Sequence, residues 1–310
     1  MYTIKEASVR SGVGIPLLRA WERRYGVVAP TRSAGGYRLY DSEAIDRLRG
    51  MRHLIDSGWS AQQAASRIRS LGVGDLDDLL VDAPPTANGS PSRESIAPDL
   101  AADLVDRMVR AASAVDSVAL DVALDEAFGS ARFEVVIDRI VMPALRAIGD
   151  GWEGGRIDVS GEHAASHAIL RRLSMAFEAA GDPPAMHPIL VGLGPGSRHE
   201  LGALAFAVAA RRAGLPVIYL GPDLPAESWV AAANRREASA AVIGATAHPD
   251  VRRVTAVVEA LRAARPGMLV AAGGSGARRV AASTGATVLP GGPIGETVAA
   301  LRAALEPAPA

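Results

Sequence analysis

Over the first 70 residues, apolar positions recur at helical spacing in short stretches broken by glycine. One helix is predicted near 3–11, a second near 15–24 and a longer one from about 42 to 70. Between the last two, PTRSAGGYRLYD reads as a tight hairpin with Gly35 and Gly36 at its turn and Arg32, Tyr37 and Arg38 on its strands. Four amphipathic stretches follow, near 99–112, 115–128, 131–149 and 160–180, and their short breaks predict an antiparallel four-helix bundle. From 188 the pattern changes to PILVGLG, a helix, PVIYLG, a helix ending near Ala238, AAVIGATA, a helix to Ala264, MLVAAGG, and finally ATVLPGG with a last helix. Runs that are apolar throughout belong to parallel strands covered on both faces, so this part predicts a doubly wound, five-stranded parallel α/β sheet of flavodoxin-like type.

Residues 82–98, DAPPTANGSPSRESIAP, carry Pro, Ser, Ala and Gly without apolar periodicity, the composition of a flexible connection. The expected organisation is a module over 1–75, a linker over 76–98, the bundle over 99–182 and the sheet domain over 183–310. GDPP joins the last two.

At 310 residues, with 49% hydrophobic and 22% charged positions, the chain has the composition of a folded protein of two or three domains. It has no cysteine, which excludes disulfides, a thiolate metal site and a cysteine nucleophile. MYTIKEASVR lacks the apolar run of a signal peptide, and no stretch approaches the roughly 18 apolar residues that span a bilayer, so a cytoplasmic protein with no membrane partner is expected. The net charge of −1 is unevenly spread: residues 1–70 hold twelve Lys/Arg against six Asp/Glu, leaving the remainder at −7. A basic module on an acidic body points to a polyanion at one end only.

IKEASVRSGVGIPLLRAWERRYG reads as helix, glycine-containing turn and helix. The second helix carries Arg19 and Arg23 four apart on one face suited to a major groove, while Arg32, Tyr37 and Arg38 suit the phosphate backbone. A small helical domain with an ordinary basic surface would show the same spacing. Trp21 and Tyr25 fit either DNA contact or a small core. The order RAWERRYG, P-T-R, then G-G-Y-R-L-Y-D resembles the MerR-type transcription regulators over residues 1–70. That resemblance implies a winged helix-turn-helix binding double-stranded, palindromic operator DNA as an oligomer, with Arg19, Arg23, Arg32, Tyr37 and Arg38 as contacts. Metal-sensing members usually sense through cysteines, so another effector is implied here.

In the sheet domain, GLGPGSRHELG sets His199 at the carboxyl end of a buried strand, where open α/β sheets bind ligands. Gly194, Gly196 and Gly202 would let backbone approach something large; equally, His199 could cap the following helix. His199-x-x-Gly202, the small-residue strand end Gly244-Ala245-Thr246 and the pair Gly273-Gly274 together resemble the cobalamin-binding domain shared by mutases and methionine synthases, over about 188–308. The resemblance implies that His199 coordinates cobalt from below and that Gly202, Gly244, Thr246, Gly273 and Gly274 line a slot for the nucleotide tail. The family's acid two positions before the histidine is Ser197 here, and its serine at the second element is Gly244. Glu200 or a water would have to replace the acid as partner of the imidazole.

Trp152, nine intervening residues and then Glu162-His163 resemble the signature of the CarH-type cobalamin photoreceptors, which join a MerR-type module, a bundle and this sheet domain in the same order. The resemblance covers nearly the whole chain. It implies adenosylcobalamin between bundle and sheet domain, Trp152 packed on the upper ligand, and Glu162 and His163 bonded to its ribose or adenine. Light would then break the cobalt–carbon bond and change a dimer or tetramer and its affinity for DNA. Bland duties also fit: a core plug for Trp152, a helix start for Glu162, solvation for His163. The histidine that often follows the family's tryptophan is Glu153 here, which leaves His163 and His167 as candidate imidazoles on the upper side.

Cobalamin enzymes need a further substrate domain, and three small modules leave no length for one, so no enzyme is expected. The alternatives are a MerR-type regulator that holds another cobalamin form or a different tetrapyrrole, and a cobalamin-dependent methyl-transfer protein. A sensor domain that only assembles copies of the chain would have no use for Trp152, Glu162, His163 and His199.

Overall fold

In the computed structural model of the protein, the described residues are 1–32, 36, 38–56, 61–71, 95–181, 187–246 and 250–306. Gly35 and Tyr37 of the expected hairpin, residues 76–94 of the expected linker and the Asp-Pro-Pro of GDPP lie outside them. The chain forms two compact units, Met1–Gly181 and Asp182–Ala310.

The first unit opens with β1 (Tyr2–Thr3), α1 (Ile4–Ser11), α2 (Ile15–Tyr25), β2 (Thr31–Arg32), β3 (Arg38–Tyr40), α3 (Ser42–Asp56) and α4 (Ala61–Ser70). A capping box starts α1: the Glu6 N–H donates to Thr3 Oγ1 at 3.3 Å while the Thr3 N–H donates to Glu6 Oε2 at 2.8 Å. Gly12, at φ 69°, ends it in the left-handed conformation that glycine adopts without a Cβ penalty. The hairpin strands are joined by an unexpected third strand, giving an antiparallel sheet of order β1-β3-β2.

The single helix predicted over 42–70 is two. Gly58 and the serines flanking it are weak helix formers, and α4 folds back so that Arg47 of α3 donates to the Ile68 carbonyl at 3.2 Å. Leu18, Trp21, Tyr40, Leu48, Met51 and Ile68 form the centre of this core.

The bundle comprises α5 (Pro98–Ser113), α6 (Ser117–Ser130), a third helix of three segments, and α9 (Val159–Ala179). The segments are α7 (Phe133–Val136), a π-helical turn Ile137–Val141 and α8 (Met142–Glu153). Pro143 has no N–H to give to the turn before it, and the neighbouring Met142 N–H reaches back five residues to the Ile137 carbonyl. Leu104, Met108, Leu120, Leu124, Ile140, Ile148, Ile169 and Leu173 fill the interior. At the far end of α9, Met175 and Ala179 pack against the core of the N-terminal module.

The second unit alternates β4 (Ile189–Leu193), α10 (Leu201–Arg212), β5 (Val217–Gly221), α11 (Ala226–Arg235), β6 (Ala240–Gly244), α12 (Asp250–Ala264), β7 (Leu269–Gly273), α13 (Ala277–Thr284), β8 (Thr287–Val288) and α14 (Ile294–Leu305). All strands are parallel in the order β5-β4-β6-β7-β8, the flavodoxin-like winding expected. The pattern reading passed over α13. It is eight residues long, shorter than the roughly 11-residue window over which apolar periodicity is read.

Candidate cofactor and nucleic-acid sites

In the N-terminal module, Arg19 and Arg23 of α2 and Arg32 of β2 are exposed. Arg38 is half-buried and committed: its Nε donates to Glu22 Oε1 at 3.0 Å, and the Tyr40 hydroxyl donates to Glu22 Oε2 at 3.1 Å. Glu22 thus ties the wing strand to α2, and the hydrogen bond to it raises the Arg38 guanidinium above its ordinary value. Burial, with the Glu22 charge next, pushes the Tyr40 phenol up to about 12. Trp21 is buried and Tyr25 packs on the same core, so the core duty, not DNA contact, holds for Trp21. Tyr37 lies outside the described residues. Glu22 was not singled out from the sequence; its only signal is a carboxylate set among the arginines of RAWERRYG.

At one end of the bundle, Trp152 closes α8 with its indole 50% exposed, too open for a core plug. The turn that follows folds tightly, the Arg156 and Ile157 N–H groups both donating to the Gly151 carbonyl at 2.8 and 3.1 Å. Asp158 caps α9 by accepting the Gly161 N–H at 2.9 Å and the Ser160 hydroxyl at 2.6 Å, contacts that hold its carboxyl below the usual value, Ser160 foremost. Gly161 sits where a Cβ would lie 2.3 Å from the Ala112 carbonyl oxygen of α5, so only glycine lets α9 start this close. The next two residues are Glu162 and His163. Glu162 Oε2 lies 2.9 Å from His163 Nδ1, and Oε1 accepts the Ser166 hydroxyl at 2.6 Å. The exposed His163 ring stands edge-on to His167, 6.3 Å between centroids. Glu153 is also exposed. Trp152, Glu162 and His163 are therefore presented by adjoining helix ends, while Asp158 and the two close-packed glycines Gly151 and Gly161, which hold them there, went unnoticed in the sequence.

In the sheet domain the winding order puts the switch point between β4 and β6, whose last residues Leu193 and Gly244 pair in register. The loops that follow carry His199 and Thr246. His199 is exposed and has no hydrogen-bond partner among the described residues. Its neighbours are fastened: Gly196 N–H donates to Asp223 Oδ1 at 2.5 Å, the Ser197 carbonyl accepts the Asp223 N–H at 3.0 Å, and Glu200 accepts the Tyr219 hydroxyl at 2.9 Å. Burial and then Glu200 drive the Tyr219 phenol well above its ordinary range. Glu200, suggested by sequence as the partner of His199, is thus held by Tyr219.

Gly202 and Gly273 face open space, as a slot requires. At the other glycines packing already leaves no room for a side chain. A Cβ at Gly194 would press on Val254, one at Gly244 would fall 2.4 Å from Leu193 Cδ2, and Gly274, at φ +86°, backs onto the Ala245 carbonyl at 2.6 Å. Thr246 gives both its N–H and its hydroxyl to Asp250. No group of three or more His, Asp or Glu positioned for a metal ion occurs among the described residues. A corrinoid brings its own ring nitrogens and asks the protein for one imidazole, which His199, without a hydrogen-bond partner among the described residues, fits.

The MerR HTH family regulatory protein model matches residues 2–71, and two B12 binding domain models match 104–176 and 189–302. These domains, in this order, define a MerR-type transcription regulator with cobalamin-binding domains. The chain is 31% identical over 226 residues to the HTH-type transcriptional repressor CarH of Myxococcus xanthus, spanning 73% of this chain and 72% of that protein. It is 30% identical to the repressor CarA of the same organism, over 89% of this chain and 87% of that one. The protein belongs to the family of these CarH- and CarA-type HTH repressors. Among solved structures, the monomethylamine corrinoid protein of Methanosarcina barkeri is similar in fold, with a TM-score of 0.54 at 16% identity, over 66% of this chain and 98% of that one.

Proposed function

We propose that the protein is a light-responsive, cytoplasmic transcription regulator that binds operator DNA through its N-terminal module and uses adenosylcobalamin as its sensor. The observation that carries this reading is His199, exposed and without a hydrogen-bond partner among the described residues, at the sheet's switch point. When bound, the group supplies a planar corrin whose cobalt–carbon bond is cleaved by light. His199 would hold the cobalt through its imidazole, and Gly202, Gly244, Thr246, Gly273 and Gly274 would line the slot for the nucleotide tail. The indole of Trp152 would pack on an adenosyl group, and Glu162 and His163 would hydrogen-bond its sugar or base.

Helix α9 is the element that carries the signal. Its first turns hold Glu162 and His163, and its last hold Met175 and Ala179 on the core of the DNA-binding module. Its 21 residues span about 30 Å. A change at the Trp152 end is thereby felt in the packing of α2 and α3. The dark form is a dimer or tetramer on a palindromic operator, where several weak contacts act together. A few kcal/mol of differential binding between assembly states is enough to switch it. The protein works by binding and release, not by catalysis.

The test is an absorption spectrum of the full chain incubated in darkness with adenosylcobalamin, then illuminated, with size-exclusion chromatography and operator gel shifts in both states. A retained corrinoid band and a light-dependent loss of mass and DNA affinity are expected. No retained band would sink the cobalamin sensor; a band without those losses would sink the light switch.

A further inference from the structure

The acid expected two residues before the histidine is absent from this chain, with Ser197 in its place. Ser197 is only 2% exposed, and its hydroxyl donates to Oδ2 of Asp250 at 3.2 Å. The same carboxylate oxygen accepts the Thr246 N–H and the Thr246 hydroxyl, each at 3.1 Å. Asp250 is 3% exposed and opens α12, whose N-terminal end favours negative charge. A carboxylate is stable at such depth when donors converge on it, and here they come from the loops after β4 and β6. The other carboxylates bonded to the histidine loop are taken: Asp223 by the Gly196 N–H and Glu200 by Tyr219.

We propose that Asp250 is the positioning acid of His199, acting through Ser197. With its proton given to Asp250, the Ser197 oxygen offers only lone pairs to other donors. It is therefore an acceptor for the ring N–H that His199 keeps when its other nitrogen ligates the cobalt, and the charge behind it comes from Asp250. A serine at 197 and an aspartate at 250 together do what a single acid at 197 would do. Asp250 Oδ2, bonded to both Ser197 and Thr246, clamps the His199 loop to the end of β6, so the imidazole leaves from a fixed base. This inference rests on His199 being the lower ligand.

The experiment uses the full chain with hydroxocobalamin, reading the ratio of histidine-bound to base-off corrinoid from the absorption spectrum. Partners of this kind are worth about 10- to 100-fold in metal affinity. Asp250→Asn and Ser197→Ala are each expected to lower the ratio by about tenfold or more. The reciprocal variant S197D/D250S, which returns the carboxylate to position 197, is expected to recover it. In the cofactor-free protein, Asp250→Asn is expected to speed hydrogen exchange at the Thr246 amide, with the thermal midpoint showing that the variant is folded. A wild-type ratio in Asp250→Asn overturns the proposal, as does a folded, corrinoid-holding S197D/D250S that stays base-off. A wild-type protein that shows no histidine-bound band overturns instead the assignment of His199, before any variant is compared.

Discussion

Arg38 of the wing is held 3.0 Å from Glu22 of α2, so a residue that its sequence context marks for phosphate contact is at the same time a clasp between two elements of its own module. Removing the carboxylate strands both Arg38 and the Tyr40 hydroxyl. Glu22→Ala is expected to cost roughly 1–3 kcal/mol of module stability, seen as a lower denaturant midpoint, and to weaken operator binding. Arg38→Ala separates the two duties. A loss of stability alongside that of affinity marks a clasp, and loss of affinity alone marks a pure DNA contact.

Burial of Tyr40, with the Glu22 charge beside it, makes the module sensitive to alkali. Tyr40 is raised from an ordinary phenol value to about 12 by burial and by Glu22, so the folded state favours its neutral form. That contribution is complete below the unfolded pKa of about 10 and is lost as the pH climbs through the folded value of about 12. Thermal melts between those pH values are expected to show a falling midpoint, and Tyr40→Phe is expected to flatten that fall.

Arg19 and Arg23 are exposed on α2 with no ion pair among the described residues. If either neutralises a phosphate, its replacement by alanine lowers the slope of log affinity against log salt by about one. If either reads a base edge, the slope holds and discrimination between operator variants drops by about 1–3 kcal/mol at one position. Titrations of the operator at several salt concentrations tell these apart.

Trp152 and Gly161 are near neighbours in the sequence with opposite expected phenotypes. Trp152 is half exposed, so its replacement by alanine is expected to leave stability within about 0.5 kcal/mol while weakening retention of adenosylcobalamin in the dark. Gly161→Ala forces a methyl against the Ala112 carbonyl and is expected to cost about 1–3 kcal/mol, with cofactor loss following from a displaced α9. Melting curves and dark spectra of the two variants check both.

The pattern of apolar positions determined the elements themselves. Buried parallel strands, helical stripes and glycine breaks are written within a few residues of one another, and the bundle, the five-stranded sheet and the place of His199 at a strand end were legible there; Trp152, Glu162 and His163 were singled out through the resemblance. Short or closely spaced pieces were not: α13 was passed over, and α3 and α4 were read as one helix. The tertiary structure alone decided the partnerships. Glu22 meets Arg38 across 16 positions and Ser197 meets Asp250 across 53, so neither pair leaves a local spacing to read. Strand order brings the ends of β4 and β6 side by side, and there the buried Ser197 hydroxyl, which must find an acceptor, meets the carboxylate of Asp250.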